Sequence, residues 1–439
     1  MADTEQVSTS APSSSSPSPS LRARFRPRLT VAPLRVRPFR FLVLGQAISE
    51  FGNAFQVVAL PLLIFARGGS AAQIGVVVSA FGFGRLLTTP VAGVLVDRYG
   101  AVRIMAVSDL GRMLLAAGLT AVAATGWGGT AAIAMIAGPV GLLAGLFMPA
   151  EWAVMPGLLP AEDLAAGNAL NTTITYAAGL IGPSVAGLVV GFADPAVAFG
   201  IDCATFAISA LTLLAIARLR LTAAPAKKAK AKVKEKGAEH ADEPKGFFGL
   251  LRTSPLLRSI LVVTIVANLT MGGLNRVALP VLATKEFGAG ARGLGVMLAA
   301  FAAGSMVGGL FAAGFASVRS RGRAAMLSGL VLAVCVTLTP LAGLAGAVVL
   351  LAFAGVAATI TNVLVVTTVQ KGTPPHLLGR TMSAIMFSGV SLFPVSVAVV
   401  GFLVDAYGSR SFFYITGASL LTAFCFGLTR KAIRGADAH

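Results

Sequence analysis

Long apolar runs separated by short polar breaks fill most of the chain. An α-helix rises 1.5 Å per residue, so about 20 apolar residues cross the ~30 Å hydrocarbon core of a bilayer. Runs of about this length each predict a membrane-spanning helix, and we place twelve. They cover 41–66, 73–96, 102–124, 131–149, 169–192, 196–218, 258–283, 292–317, 324–342, 347–368, 381–404 and 410–429. Only the segment LAGLAG separates the ninth run from the tenth.

The longest polar break divides the runs into six and six. It contains LTAAPAKKAKAKVKEKGAEHADEPKGFFGLLRTSP, which is too charged to span a membrane. The predicted organisation is a disordered cytoplasmic tail at 1–38, a six-helix bundle at 39–218, a charged cytoplasmic linker at 219–256, a second six-helix bundle at 257–430 and a cytoplasmic tail at 431–439.

The two halves contain related segments. VALP occurs at Val58–Pro61 and again at Val277–Pro280, and IGVVVSAFGFG at 74–84 pairs with LGVMLAAFAAG at 294–304. Weak repetition between six-helix halves is typical of transporters whose substrate path lies between duplicated bundles. The predicted fold is therefore an all-α membrane protein with twelve transmembrane helices in two pseudo-symmetric bundles.

Composition agrees with a membrane protein, since 56% of residues are hydrophobic, 12% are charged and the mean hydropathy is +0.84. Soluble domains carry about 25% charged residues. The net charge of +18 would suit nucleic acid, but most of the Lys and Arg fall in breaks on one predicted side. The predicted outer breaks hold only Arg67, Lys285, Arg292 and Arg410. This asymmetry is the positive-inside rule; it places both termini in the cytoplasm of a cell membrane and disfavours a nucleic-acid partner.

One polar break has a distinctive pattern, GVLVDRYGAVR, with Gly93, Asp97, Arg98, Gly100 and Arg103. Its position between the second and third spans resembles the signature loop of the major facilitator superfamily. The segment IGPSVAG at 181–187 resembles that superfamily's antiporter motif through Gly182, Pro183 and Gly187. The run from Gly145 to Asn171 is similar to the macrolide- and siderophore-exporter branch.

The resemblance implies the major facilitator fold and efflux by drug:proton antiport. Several motif positions depart from the family pattern. Ala101 and Val102 stand where basic residues are usual, Glu151 replaces a basic residue after span four, and Ala178 and Ala186 replace glycines of the antiporter motif.

The signature loop suggests a gate. A carboxylate is favoured at the positive end of a helix, and the eleventh span begins near GRTMS with Gly379 and Arg380. We expect Asp97 to dock there and hold the cytoplasmic side shut in the outward-facing state. The alternative is that the loop charges are solvated and only anchor the topology.

Charged residues inside the spans are costly and are functional candidates. Glu50 lies about nine residues into the first span and is the leading proton carrier, with Arg85 or Arg276 as its switching partner. Burial favours the neutral acid and a nearby guanidinium favours the carboxylate, so such a site can load and release a proton. A permanent Glu50–Arg85 ion pair is the alternative.

Two further acids are interpreted as structural or peripheral. Asp109 and Arg112 lie three residues apart and so share one helical face, which predicts a structural pair that extends the network around Asp97. Asp202 lies near the outer end of span six and is expected to reach interfacial water.

The predicted cavity wall is polar but uncharged, which suits a hydrophobic or amphipathic solute better than a sugar. The alternative is that several of these polar side chains simply bond neighbouring helices. The substrate-binding candidates are Asn53, Gln56, Asn171, Tyr176, Asn268 and Asn275.

Motifs for other chemistry are missing from the sequence. It has no G-x-x-x-x-G-K-[ST] phosphate loop, no G-x-S-x-G and no H-E-x-x-H, and its three cysteines lack metal-ligand spacing. We therefore expect no enzyme activity, no cofactor and no metal. The predicted function is monomeric, proton-coupled export of a small molecule by alternating access. The alternatives are proton-coupled nutrient import and a non-transporting membrane sensor.

Overall fold

The structure is a computed structural model. It describes residues 32–222, 254–315, 321–373 and 375–430. Within these ranges it leaves out some side chains, namely those of 161, 165, 172, 176, 179, 180, 220–222, 312–315, 371, 372, 375–380, 382–388 and 390. Most of the predicted linker, most of the predicted N-terminal tail and all of the predicted C-terminal tail lie outside the described residues.

The first half forms six helices. A 3-10 turn at Ala32–Arg35 precedes them. The helices are α1 Arg37–Ala66, α2 Ala71–Tyr99, α3 Ala101–Thr125, α4 Gly129–Val154, α5 Leu164–Phe192 and α6 Pro195–Thr222.

The second half also forms six, with two irregularities. Helix α7 begins at Pro255 and ends at Glu286, and it contains π-helical turns at Leu274–Ala278 and Leu282–Glu286. It is followed by α8 Gly290–Phe315, α9 Arg321–Leu338 and α10 Gly343–Gly372. The last helical segment, Pro375–Thr429, is broken at Gly408 (φ 82°, ψ 161°), and we call its arms α11 (375–407) and α12 (409–429).

These helices confirm the predicted fold. Among the described residues, ten segments are long and apolar enough to cross a membrane, with Ser391–Thr429 counted once although it includes both α12 and part of α11. Helix α5 contributes a shorter apolar segment, Ile181–Phe192. The ten segments contain eleven helices, because one of them includes both α12 and part of α11, and α5 brings the number in the described part of the chain to twelve. The boundary within LAGLAG falls at Gly343, whose φ of 62° starts α10 four residues earlier than predicted.

Local sequence signals explain several helix ends. Ser70 and Gln73 form a capping box at the start of α2, which satisfies amides that have no partner inside the helix. Ser254 accepts from the Leu257 amide, and Pro255 follows at the first position of α7. Gly100 (φ 87°) joins α2 to α3 in a conformation that other residues rarely adopt.

Small residues bring the helices of each half together in matching ways. A side chain at Gly141 of α4 would collide with the Phe81 carbonyl of α2. In the second half, a side chain at Gly355 of α10 would collide with the Phe301 carbonyl of α8. Phe81 and Phe301 are equivalent in the two repeated segments. Close backbone approach of this kind is a common basis of helix packing in membranes, so the sequence repeat is also a packing repeat.

The two halves meet at one end, which we call the closed end. It holds the turn between α1 and α2 and the joint at Gly408. Two glycine pairs make the contact, Gly75 with Gly401 (α2–α11) and Gly187 with Gly295 (α5–α8). Described side chains also form hydrogen bonds between the halves here. Asp405 accepts from the Ala71 and Ala72 amides, Ser79 donates to the Pro394 carbonyl, and Arg292 donates to the Gly191 carbonyl.

Candidate functional site

A cavity of about 500 Å³ lies on the inner face of the first half. Drug-sized ligands occupy pockets of roughly 300–1,000 Å³. Its described walls come from α1 to α5, and Arg276 of α7 is the contribution of the second half among the described residues. It extends from Pro61, in the half of α1 nearer the closed end, to Trp152, whose exposed side chain lies near the other end of the molecule.

Five charged side chains line this cavity, one from each of five helices. The expectation of an uncharged wall is therefore wrong. Lipid makes charge expensive, so the helices turn their charged positions toward this interior space. The five are Glu50 of α1, Arg85 of α2, Arg112 of α3, Glu151 of α4 and Arg276 of α7.

Glu50 and the arginines are near one another without direct pairing. Arg85 and Arg112 lie within electrostatic range of the Glu50 carboxylate, and Asn53 is a hydrogen-bond neighbour one turn along α1. Among described side chains, the ion pairs within 4.0 Å are Arg112–Asp109 and Arg410–Glu286. The described geometry therefore holds no direct Glu50–Arg85 pair, and Arg85 Nη2 instead lies 3.3 Å from the Met148 sulfur.

Arg276 faces Arg85 across the boundary between the halves, close enough for the two charges to repel. It lies within the π-helical turn Leu274–Ala278, one turn before Pro280. Proline has no amide hydrogen, so the carbonyl one turn earlier loses its regular partner and the helix becomes irregular there. The cavity thus holds positive charge contributed by both halves.

Arg112 is tied to one face of the first half. Its Nη2 lies 2.5 Å from Asp109 Oδ1, and the Ser209 hydroxyl donates to Asp109 Oδ2 at 2.5 Å. The guanidinium also stacks on Phe147 and Phe206, with its carbon 4.4 and 4.6 Å from the ring centroids. The predicted pair is thus present. Both partners are buried, and Asp109 bonds to Ser209 of α6. The extension of this pair toward Asp97 stays a prediction.

The expected position of Asp202 is also wrong. Its side chain is fully buried, and neither carboxylate oxygen has a hydrogen-bond partner among the described residues. It faces Gly52 of α1, where an added Cβ would lie 2.9 Å from Asp202 Oδ1. The residue lies seven positions into α6, and its face points into the bundle rather than toward interfacial water.

The structure brings together some of the predicted uncharged residues. Asn53, Gln56 and Asn171 line the cavity. The side chain of Tyr176 lies outside the description. Asn268 and Asn275 are absent from the described lining, because neighbouring helix positions point in different directions and Arg276 occupies the inward one. Asn268 instead lies beside Gly389 of α11.

The signature loop lies at the opposite end from the closed end. Asp97, Arg98 and Arg103 are exposed, and Gly93 and Gly100 have open space where a side chain would begin. Arg98 stacks on its neighbour Tyr99, and no described side chain forms a hydrogen bond or an ion pair with Asp97. Asp97 is expected to dock at the helix start that contains Arg380, whose side chain lies outside the description. Docking of Asp97 therefore stays a prediction.

The antiporter-like motif joins three helices. Gly182 faces Ala54 of α1, and the carbonyl of Pro183 and the backbone of Gly187 pack against Gly295 of α8. The motif therefore contributes to the contact between the halves as well as to packing inside the first half.

Sequence reasoning missed Glu151 as a site residue. It lies two residues beyond the predicted end of span four, and its Oε1 accepts a 2.7 Å hydrogen bond from Asn171 Nδ2. The available signal was the carboxylate of Glu151 at a position where the macrolide- and siderophore-exporter branch usually has a basic residue. A departure from a motif does not by itself indicate that the side chain lines a cavity.

Comparisons with known proteins agree with this architecture. The chain is 28% identical over 418 residues to the multidrug efflux pump Tap of Mycobacterium tuberculosis, covering 90% of this chain and 94% of that protein. It is 26% identical over 370 residues to the enterobactin exporter EntS of Salmonella typhimurium, covering 80% and 82%. The crystal structure of a bacterial homologue of the iron transporter ferroportin, in an inward-facing state, matches with a TM-score of 0.71 at 14% identity, over 90% of this chain and 98% of that one.

A family model described as the Major Facilitator Superfamily matches residues 42–395 and 261–436. The match covers most of the chain and agrees with the twelve helices. The protein is accordingly a multi-pass membrane transporter of small molecules, a member of the Major Facilitator Superfamily.

Proposed function

We propose that this transporter exports a hydrophobic or amphipathic small molecule from the cell in exchange for protons. The observation that carries the proposal is the cavity, in which Glu50 lies near Arg85 and Arg112 while Arg276 approaches from the other half. The efflux relatives support the direction of transport. In the proposed orientation both termini are cytoplasmic, so the closed end is extracellular and the structure represents the inward-facing state.

The coupling step follows from the placement of charge on the two halves. Arg85 and Arg112 move with Glu50 because all three belong to the first half, whereas Arg276 belongs to the second. When the halves rock, the field of Arg276 at Glu50 changes. A buried carboxyl group responds to such a change by binding or releasing a proton. Proton occupancy then shifts the population between the two states.

The cavity wall sets the type of substrate. Apolar side chains such as Val57, Val77 and Phe81 line it beside the charged groups and the amides of Asn53 and Gln56. An amphipathic solute can contact both kinds of surface. Binding needs no cofactor and no metal, and we propose that one chain suffices for transport.

The cytoplasmic gate completes the proposed cycle. Asp97 is exposed in this structure, and we propose that it docks at the N-terminus of α11 once the cytoplasmic ends of the halves come together. In that outward-facing state its carboxylate would accept hydrogen bonds from unpaired amides and interact favourably with the positive end of the helix dipole.

Everted membrane vesicles that contain the full chain test the proposal. Vesicles are loaded with a pH-sensitive dye, an imposed gradient acidifies their interior, and uptake of ethidium, Nile red and 8-anilinonaphthalene-1-sulfonate is measured. We expect uptake of at least one probe with matched loss of interior protons. Glu50→Gln should abolish gradient-driven uptake but retain probe exchange, and Asp97→Asn should slow both. The exposed Glu162→Gln is the matched control and should behave as wild type.

Three results would each contradict one part of the proposal. Probe movement without proton flux, unchanged when the gradient is collapsed, rules out antiport. Uptake only in right-side-out vesicles indicates import. Normal transport by Asp97→Asn, with the protein still in the membrane, excludes the gate.

A further inference from the structure

The pattern of the signature loop occurs a second time in the chain. GVLVDRYG at 93–100 and GFLVDAYG at 401–408 share glycine, leucine, valine, aspartate, tyrosine and glycine at equal positions. Their final glycines also adopt the same backbone conformation, with φ 87° and ψ 140° at Gly100 and φ 82° and ψ 161° at Gly408. Each segment ends a helix and joins it to the next. They lie at opposite ends of the molecule.

At the second copy, a contact between the halves is formed. Asp405 Oδ1 accepts a hydrogen bond from the Ala71 amide at 2.8 Å, and Asp405 Oδ2 accepts one from the Ala72 amide at 2.9 Å. These amides open α2 and have no partner within the helix. The carboxylate therefore satisfies two donors of the first half and lies at the positive end of that helix.

Close backbone packing holds Asp405 in this position. Gly401 lies one turn earlier on α11, and a Cβ there would be 2.8 Å from the Ala71 carbonyl oxygen and 3.0 Å from the Gly75 Cα. Because the two backbones touch, the next turn of α11 arrives directly over the first turn of α2. The carboxylate needs no long side chain to reach it.

The other glycine contact at the closed end has the same geometry without the acid. A Cβ at Gly295 would lie 3.0 Å from the Gly187 Cα. Gly191 follows Gly187 by four residues, as Asp405 follows Gly401. At that place the Gly191 carbonyl accepts only a 3.4 Å hydrogen bond from Arg292. Close packing alone therefore does not require a carboxylate, and its presence at one interface needs another explanation.

We propose that Asp405 is a latch that holds the closed end shut and must leave the N-terminus of α2 each time that end opens. It is the counterpart, at the other end of the same helix pair, of the gate expected for Asp97. The inference rests on the alternating access of the proposed function, but not on its direction, substrate or coupling ion.

Distances between spin labels test the latch on the full chain in nanodiscs. Labels are attached at Trp127 and Leu341, exposed positions in turns of the two halves at the closed end, after replacement of the three native cysteines. Wild-type protein should show mainly the short distance. In Asp405→Asn the ratio of long to short distance should rise by about 3- to 30-fold, since the charge at the helix end and one of the two acceptor oxygens are lost. Asp405→Glu keeps the charge and should shift the ratio less.

Asp194→Asn is the matched control. The Asp194 carboxylate also caps a helix at this end, accepting from the Ala196 amide at 2.7 Å, but both residues belong to the first half. Its distance distribution should equal that of wild type. If Asp405→Asn does not give monodisperse protein, Ala72→Pro removes one donor at a first-turn position that tolerates proline and should shift the ratio in the same direction.

A wild-type distribution in folded Asp405→Asn overturns the latch, as does an equal shift in Asp194→Asn. The labels report conformation without substrate or pH gradient. A transport assay that fails while the distances shift as expected would therefore count against the proposed function and leave the latch intact.

Discussion

Arg112 shows how one side chain can hold a buried polar cluster together. Its guanidinium pairs with Asp109, which also binds Ser209 of α6, and it lies between the rings of Phe147 and Phe206. A planar guanidinium can pair and stack at once, which an ammonium group cannot do as well. The same side chain also lines the cavity.

Arg112→Leu should therefore destabilise the protein strongly. Removing one partner leaves the other as an unpaired buried charge, at a cost of about 3–5 kcal/mol. Thermal unfolding of purified protein in detergent measures the loss. The double variant Asp109→Asn/Arg112→Leu should recover part of it, and the exposed Arg103→Ala should unfold as wild type. Equal unfolding of Arg112→Leu and Arg103→Ala would show that the cluster is dispensable.

At the scale of single residues, the sequence predicts pairs within one helix better than positions between helices. Three-residue spacing was enough for Asp109 and Arg112, because a helix brings such positions to one face. Asp202 and Glu151 were misplaced or missed because their surroundings come from other helices. No spacing along the chain shows which face of α6 or α4 meets the interior.

Helix contacts in this protein depend on where glycine permits two backbones to touch. Gly141 and Gly355 act inside the halves, whereas Gly187 and Gly295 act between them. The same residue type therefore packs helices inside a half in one place and joins the two halves in another. The two VALP segments also differ in helix geometry: α1 is a regular helix at Val58–Pro61, whereas the π-helical turn Leu274–Ala278 of α7 includes the first two residues of Val277–Pro280.

Gly187→Ala should open the closed end. A Cβ at this position would lie 2.7 Å from the Ala291 carbonyl oxygen and 2.8 Å from the Gly295 Cα, so the halves must separate to admit it. The labels at Trp127 and Leu341 should report more of the long distance, with little change in the midpoint of thermal unfolding.

Two other glycines distinguish this effect from general disruption. Gly141→Ala meets the Phe81 backbone inside one half and should lower the unfolding temperature. Gly309→Ala, with its nearest atom 4.0 Å away, should change neither quantity. If Gly187→Ala lowers stability as much as Gly141→Ala without changing the distance, the glycine pair is ordinary packing.

For the whole molecule, the positive-inside pattern makes a direct prediction about topology. A cysteine at Trp127 should react with a membrane-impermeant maleimide in intact cells, and a cysteine at Glu162 should react only after permeabilisation. The two exposed positions lie in turns at opposite ends of α4. The reverse pattern would invert the orientation, and with it the assignment of the structure to the inward-facing state.

The sequence by itself determined the number of spans, the division into two halves and the family resemblance. These properties follow from the length of apolar runs, which bilayer thickness controls, and from motifs whose residues are adjacent in the chain. Glu50 and Arg85 were also found this way, because a charge inside an apolar run is conspicuous whatever surrounds it.

Only the tertiary structure decided which charges share a cavity, which glycines join the halves and which end is closed. The Asp405 contact joins residues more than 300 positions apart, and its meaning depends on the register of α11 against α2. Such contacts are set by the packing of one helix face on another. Because lipid solvates every outward face equally well, apolar patterning in a membrane protein carries little information about which face turns inward.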